Sequence, residues 1–99
     1  MAGYLIAQIE ITDPDAFEAY RAVVPAVIAK FGGRYLVRGG TVEVLEGDSP
    51  IPRLVIVAFD SVDQVRRFYD SPEYQEILPL RLGASKGSVV IVEGIKNSG

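Results

Sequence analysis

One stretch of seven residues, "RLVIVAF" at 53–59, limits the folds open to this chain more than any other feature. Alternate side chains of a β-strand point to opposite faces of the sheet. Here both sets are apolar, with Leu54, Ile56 and Ala58 on one face and Val55, Val57 and Phe59 on the other. A strand with two apolar faces belongs inside a sheet whose two sides are both shielded from water. We therefore expect helices on one side of a sheet and a second cover on the other.

Three further segments have strand character. They are "YLIAQIEI" (4–11), "RYLVRGGTVEVLEG" (34–47) and "SVVIVEG" (88–94). The longest contains Gly39-Gly40, and a glycine pair inside a strand pattern predicts a bulge or a close approach of another group to the backbone.

The first helix is predicted to begin just after the first strand. Thr12 and Asp15 have the spacing of a capping box, and Pro14 suits the first turn. The glycine pair at 32–33 ends the helix. Its apolar stripe contains Phe17, Tyr20, Val24, Val27, Ile28 and Phe31.

A second helical region follows the apolar strand. Ser61 is predicted to cap a helix, with Gln64 three residues later. Within "DSPEYQEILPLR" (70–81), Ser71 followed by Pro72 has the pattern of an N-cap and first helical residue, so a new helix starts there. Pro79 is predicted to stop that helix.

The resulting order, β-α-β-β-α-β, predicts an α+β fold of the ferredoxin-like type. We expect one domain over residues 1–95, with a four-stranded antiparallel sheet, both helical regions on one face, and a disordered tail at 96–99. Leaving about four to six apolar side chains of the bare face in water costs roughly 10 kcal/mol. A homodimer that stacks two sheets into an α/β barrel removes this cost, and a monomer that binds a lipid-like ligand there is the alternative.

Composition restricts the chemistry. The chain has no Cys and no His, so thiolate nucleophiles, imidazole bases and the usual zinc or haem ligands are excluded, and we expect no metal and no cofactor. A net charge of −3 with scattered Lys and Arg argues against nucleic acid. No apolar run reaches the roughly 20 residues that span a bilayer. We expect a cytoplasmic protein without a membrane partner.

A family likeness is carried by short motifs, namely "RGG" (38–40), "EVLEG" (43–47), "YDSPEYQ" (69–75) and "LPLR" (78–81). With these, residues 3–94 resemble the domain of unknown function family 1330, within the dimeric α/β-barrel superfamily. The resemblance implies paired sheets and a pocket between sheet and helices, like those of cofactor-free monooxygenases, muconolactone-type isomerases and haem-degrading enzymes. Haem degradation needs a histidine ligand to iron, which this chain lacks.

Two residues near such a pocket are candidates for ligand contact. Arg38 ends a strand, where its guanidinium could hold a carboxylate or enolate; the alternative is a surface ion pair with Glu43. Tyr20 lies on the buried stripe of the first helix, and simple core packing is its alternative role.

The start of the new helix at Ser71 supplies the other candidates. Free N–H groups at a helix start favour anions, and an arginine follows one helical segment later. The alternative is that these residues only cap and pack the helix. The candidates are Tyr69, Ser71, Glu73, Tyr74 and Arg81.

Two functional hypotheses remain open at this point. The first is a small dimeric α/β-barrel protein that binds a small, partly apolar, carboxylate- or enol-bearing molecule, as a cofactor-independent isomerase or monooxygenase. The second is a non-catalytic small-molecule-binding or stress-associated module. Replacing Arg38 by Ala distinguishes them, because a catalyst loses rate at saturating ligand whereas a binder loses only affinity.

Overall fold

The computed structural model describes residues 1–48 and 52–95. The predicted tail at 96–99 and residues 49–51 lie outside the described residues. The elements in chain order are β1 (Gly3–Ile11), α1 (Pro14–Lys30), β2 (Arg34–Arg38), β3 (Leu54–Phe59), α2 (Val62–Asp70), α3 (Pro72–Leu82) and β4 (Ser85–Glu93).

The four strands form one antiparallel sheet with the order β2-β3-β1-β4. In its centre, Leu5 lies opposite Val57 on β3 and Ile91 on β4. Leu5 and Val57 share a buried cluster with Val24 of α1 and Val65 of α2, so the helices cover this face of the sheet. The predicted ferredoxin-like βαββαβ fold is confirmed.

The break between α2 and α3 brings two aromatic rings together in the core. The Ser71 hydroxyl accepts a hydrogen bond from the Tyr74 N–H at 3.1 Å and donates one to the Phe68 carbonyl at 2.7 Å. The rings of Phe68 and Tyr74 lie 4.5 Å apart between centroids, and both are buried. The predicted helix start at Ser71 is confirmed, and so is the cap of α2 at Ser61.

The cap of α1 is Asp13, and the prediction of Thr12 is wrong. The Asp13 carboxylate accepts a hydrogen bond from the Ala16 N–H at 3.1 Å, with Pro14 in the first turn as expected. The Thr12 N–H instead donates to the Ala84 carbonyl at 2.8 Å. That bond continues the pairing of β1 with the start of β4 and so keeps Thr12 out of the helix.

The prediction that Pro79 ends α3 is also wrong, because the helix continues to Leu82. A proline in a helix removes the hydrogen bond to the carbonyl four residues earlier, here that of Gln75. Gln75 and Pro79 are both exposed, so water can satisfy this carbonyl. Burial of Leu78 and Arg81 on the opposite side of α3 supplies the packing that holds the helix through the proline.

The strand predicted at 34–47 is too long, because β2 ends at Arg38. β2 is an edge strand whose partner β3 begins at Leu54. The Gly39 N–H donates to the Leu54 carbonyl at 2.8 Å, so beyond Gly39 no strand of the described residues lies opposite. The irregularity in the pairing lies between Tyr35 and Val37, two to four residues before the glycine pair at 39–40. β4 begins at Ser85, earlier than predicted, because it pairs with the end of β1.

The sheet face opposite the helices is apolar in its centre, as the pattern of 53–59 predicted. Ile6 stands between Ile56 on β3 and Val90 on β4 on this face. Val90 and Val92 are 47% and 41% exposed. We call this surface the open face. None of the helices within residues 1–48 and 52–95 has both the length and the apolar character needed to cross a bilayer.

Candidate functional site

A cavity lies between the helix-covered face of the sheet and helices α1 and α3. Its volume is about 60 Å³, several times the roughly 10–15 Å³ that one water molecule needs. Most of the wall is apolar, from residues such as Leu5, Val24 and Val57. The charged residues of the wall are all positive. Four arginines and three tyrosines line the cavity, and among the described residues no Asp or Glu does so.

Three side chains from α1 and α3 form a hydrogen-bonded chain on the helix side of the cavity. The Tyr20 and Tyr74 hydroxyls are 2.9 Å apart, and the Arg81 Nε–H donates to the Tyr74 oxygen over 3.4 Å. Tyr74 and Arg81 are buried, at 2% and 8% exposure. Since Tyr74 accepts from Arg81, its own proton can point to Tyr20, which leaves the Tyr20 O–H free to donate into the cavity.

Both cavity tyrosines with a perturbed pKa stay protonated at neutral pH. Burial raises the pKa of Tyr20 well above 10, and the neighbouring Tyr74 hydroxyl raises it further. Burial likewise raises the pKa of Tyr35, although the positive charges of Arg38 and Arg53 oppose that effect. These phenols therefore serve as hydrogen-bond donors and do not serve as bases.

Arg38 lies at the mouth of the cavity. Its side chain is exposed to solvent, and its guanidinium carbon sits 4.6 Å from the centroid of the Tyr35 ring. In the described part of the chain it makes no ion pair, so the alternative of a salt bridge with Glu43 is not the arrangement found. Stacking on Tyr35 leaves the guanidinium N–H groups available to an anion.

Two further arginines of the cavity were missed by the sequence reasoning. Arg53 has the same parity as Val55 and Val57, which was the available sign that it points to the helix-covered face. Arg21 follows Phe17 by four residues and so lies at the edge of the buried stripe of α1. Arg21 is exposed and also pairs with Glu18 at 3.8 Å.

Three sequence-predicted residues do not line the cavity. Ser71 caps α3, and its hydroxyl hydrogen-bonds to the backbone groups of Phe68 and Tyr74. Glu73 is at the surface in an ion pair with Lys30, which lowers the pKa of its carboxyl group. Tyr69 packs against the outer side of Tyr74 with ring centroids 5.3 Å apart. Of the predicted set, the cavity brings together Tyr20, Arg38, Tyr74 and Arg81.

The arrangement suits a small anion with an apolar body. Guanidinium groups bind carboxylates and enolates through charged hydrogen bonds, and the apolar wall limits competition from water. Metal binding has no comparable support, since residues 1–48 and 52–95 contain no group of three or more Asp, Glu, Cys or His that could hold an ion.

Comparison with known proteins gives the family. The profile of a domain of unknown function, DUF1330, matches residues 2–95. The chain belongs to the DUF1330 family. A comparison with curated proteins gives no match.

Three solved structures that share the fold of this DUF1330 protein are distant from it in sequence. A protein of unknown function from Rhodopseudomonas palustris has a TM-score of 0.77 at 18% identity, over 96% of this chain and 83% of the other. SnoaB, a cofactor-independent oxygenase from Streptomyces nogalater, has a TM-score of 0.64 at 15% identity, over 97% and 95%. Rv0793 from Mycobacterium tuberculosis has a TM-score of 0.59 at 20% identity and full coverage of both chains. At these identities the similarity establishes the fold.

Proposed function

We propose that this DUF1330 protein binds a small, partly apolar molecule carrying a carboxylate or enolate, and that it stabilises the enolate as a cofactor-independent oxygenase or isomerase. One observation carries the proposal: four arginines and three tyrosines line one small cavity that receives no Asp or Glu from the described residues. The likeness in fold to a cofactor-independent oxygenase supports it.

The buried polar chain supplies the chemistry. An enolate oxygen beside Tyr20 accepts a hydrogen bond from its hydroxyl, and Tyr74 and Arg81 polarise that hydroxyl from behind. Donors held in place in a poorly solvated cavity stabilise developing negative charge more strongly than water does. The bound ligand therefore loses its proton more easily than it does in water, and the resulting enolate can be reprotonated elsewhere or react with O₂.

A specific feature favours the rival, non-catalytic binding module. The cavity lining, as far as the structure describes it, has no carboxylate, and the pKa of Tyr20 is raised, so no lining group accepts a proton readily at neutral pH. A catalyst of this kind must release the ligand's proton to water at the open mouth. A binder has no such requirement.

The deciding experiment measures the binding of acetoacetate and the rate at which its α-protons exchange with solvent deuterium. The α-protons of bound acetoacetate are expected to exchange with deuterium at least about tenfold faster than those of free acetoacetate, a factor that corresponds to about 1.4 kcal/mol. Arg81→Gln should abolish the acceleration at saturating acetoacetate, while Arg66→Gln on the exposed side of α2 should not change it. Binding without any acceleration would support the rival module and rule out enolate stabilisation.

The functional unit in this proposal is a homodimer that pairs two open faces. The centre of each open face is apolar, and stacking two copies removes both surfaces from water at once. The cavities lie on the other side of each sheet, so such pairing leaves both of them accessible.

A further inference from the structure

Among the residues that line the cavity, Arg53 has the least evident role in packing the core. Its guanidinium lies against Gly39, where a side-chain Cβ atom would collide with it, and faces the Phe17 ring at 6.0 Å. Gly39 has a φ of 72°, a conformation that glycine adopts without strain. Both the positive φ and the contact with Arg53 favour glycine at position 39, and the missing side chain leaves room for Arg53.

The Arg53 side chain is held in place without a partner for its Nε atom. That Nε is buried and has no hydrogen-bond acceptor within the described residues. Its backbone is fixed as well, because the Arg53 carbonyl accepts a hydrogen bond from the Ile9 N–H at 3.0 Å. A buried donor on a cationic group costs free energy unless it is satisfied, so an acceptor is expected from outside the chain.

Arg38 brings a second positive charge to the same end of the cavity. Arg38 of β2 pairs with Val55 of β3, which is two residues from Arg53. Gly39, the residue after Arg38, contacts the Arg53 guanidinium. The ion pairs of the described residues involve neither arginine. Two adjacent guanidinium groups repel each other, and a bound carboxylate relieves that repulsion and satisfies the Arg53 Nε.

The cavity thus has two polar ends with different chemistry. At the sheet end are Arg38 and Arg53, and at the helix end is the chain of Tyr20, Tyr74 and Arg81. Tyr35 also lines the cavity, and its ring stacks with the Arg38 guanidinium at the sheet end.

We propose that the ligand is an enolisable oxo acid, whose carboxylate binds between Arg38 and Arg53 and whose carbonyl or enolate oxygen binds at Tyr20. This inference rests on the proposed function and adds the second contact point. It assigns Arg53 as a residue that determines specificity for acids.

Three related probe molecules distinguish the contact at the sheet end of the cavity from the contact at the helix end. Acetoacetate has both groups, methyl acetoacetate lacks the carboxylate, and butyrate lacks the ketone. In calorimetric or NMR titration, the wild-type protein is expected to bind acetoacetate at least about tenfold more tightly than either probe, because each probe lacks one of the two anchoring contacts; tenfold corresponds to about 1.4 kcal/mol. Arg53→Gln should remove this preference for acetoacetate over its ester and leave binding of the ester unchanged within about twofold.

Two controls keep the result decisive. Arg66→Gln changes the same side chain on the exposed surface of α2 and should leave all three affinities unchanged. Arg38→Gln alters an exposed residue at the mouth, so it tests the sheet end even if Arg53→Gln fails to fold, and it should also reduce acetoacetate binding selectively.

Three results would overturn the inference. They are equal binding of the ester and the acid by the wild-type protein, loss of acetoacetate binding in Arg66→Gln comparable to that in Arg53→Gln, and weakening of acid and ester to the same extent by Arg53→Gln. Failure of all three probes to bind the wild-type protein would instead reject the proposed function itself, so the two failures can be told apart.

Discussion

At the scale of single residues, Tyr74 connects the core to the cavity. Its ring packs against Phe68 and Tyr69, and its hydroxyl joins Tyr20 to Arg81. One phenol therefore contributes to stability through its ring and to the site through its oxygen. The two roles can be separated by replacing tyrosine with phenylalanine, which keeps the ring.

We predict that Tyr74→Phe destabilises the protein more than Tyr20→Phe. Tyr74→Phe leaves the buried Arg81 Nε and the Tyr20 hydroxyl without this partner, at a cost of about 2–3 kcal/mol, whereas Tyr20→Phe costs about 1 kcal/mol because Tyr74 keeps Arg81. Thermal unfolding at matched protein concentration measures both, with about 4–8 °C in Tm for each kcal/mol. Equal losses would mean that Arg81 does not depend on Tyr74.

Protonation of Tyr20 gives a prediction about alkaline pH. Because the pKa of Tyr20 is raised in the folded state, mainly by burial, the unfolded chain loses this proton first as the pH rises above about 10. The free energy of unfolding then falls with pH, by up to about 1.4 kcal/mol per pH unit from this residue. Below about pH 10 the contribution is fully present.

Denaturant unfolding of the wild type and Tyr20→Phe at about pH 9 and about pH 11 tests this sign. The stability advantage of the wild type is expected to shrink by about 1 kcal/mol at the higher pH, because phenylalanine has no proton to lose. Absorbance of tyrosinate should show one fewer late-ionising tyrosine in Tyr20→Phe than in the wild type, because the raised pKa of Tyr35 is common to both. An advantage that grows with pH would contradict the buried, neutral state of Tyr20.

At the scale of elements, the break between α2 and α3 determines the site. A continuous helix through Ser71 would not bring Phe68 and Tyr74 onto the same core with their rings in contact, and Arg81 is carried into the cavity by α3. The residues at the break thus act on the site through geometry. They do not touch the cavity themselves.

Ser71→Ala is predicted to cost about 2 kcal/mol, and Ser61→Ala, its matched control, about 1 kcal/mol. Both serines cap helices, but the buried Ser71 hydroxyl also donates to the Phe68 carbonyl, whereas the half-buried Ser61 hydroxyl is seen only to accept from the Gln64 N–H. Urea unfolding gives both values. A larger loss for Ser61→Ala would mean that the second hydrogen bond of Ser71 does not stabilise the α2–α3 break.

At the scale of the whole molecule, one sheet has two unlike faces. The helices and the cavity occupy one face, and the other is apolar and open in a single copy of the chain. Monomeric proteins seldom expose large contiguous apolar patches. The proposed homodimer follows from this asymmetry.

Val90→Glu is predicted to convert the proposed homodimer to a monomer, since a carboxylate would be placed where the two open faces are proposed to meet. Val23→Glu is the control, because Val23 is equally apolar and similarly exposed, at 42% against 47%, but lies on α1. Sedimentation at micromolar concentration should give one 10.7 kDa chain for Val90→Glu and two for the control and the wild type. A monomeric wild-type protein would refute the dimer.

The sequence by itself determined the fold class and the apolar character of the open face. Strand and helix periods, the caps at Ser61 and Ser71 and the order of elements are local properties, so they were available from neighbouring residues alone. The same patterns correctly placed the helix break. They failed where a distant partner decided the outcome, as for the end of β2 at Arg38 and the passage of α3 through Pro79.

Only the tertiary structure decided which polar residues share a cavity. Arg53 and Arg81 are 28 positions apart, and no local pattern connects them, yet both line the cavity that also contains Tyr20. Conversely, Ser71 and Glu73 lie within three residues of Tyr74 in sequence, but Ser71 hydrogen-bonds to backbone groups and Glu73 pairs with Lys30 at the surface. Sequence spacing fixes direction only within one helix or strand, whereas the convergence of side chains depends on how β3, α1 and α3 pack together.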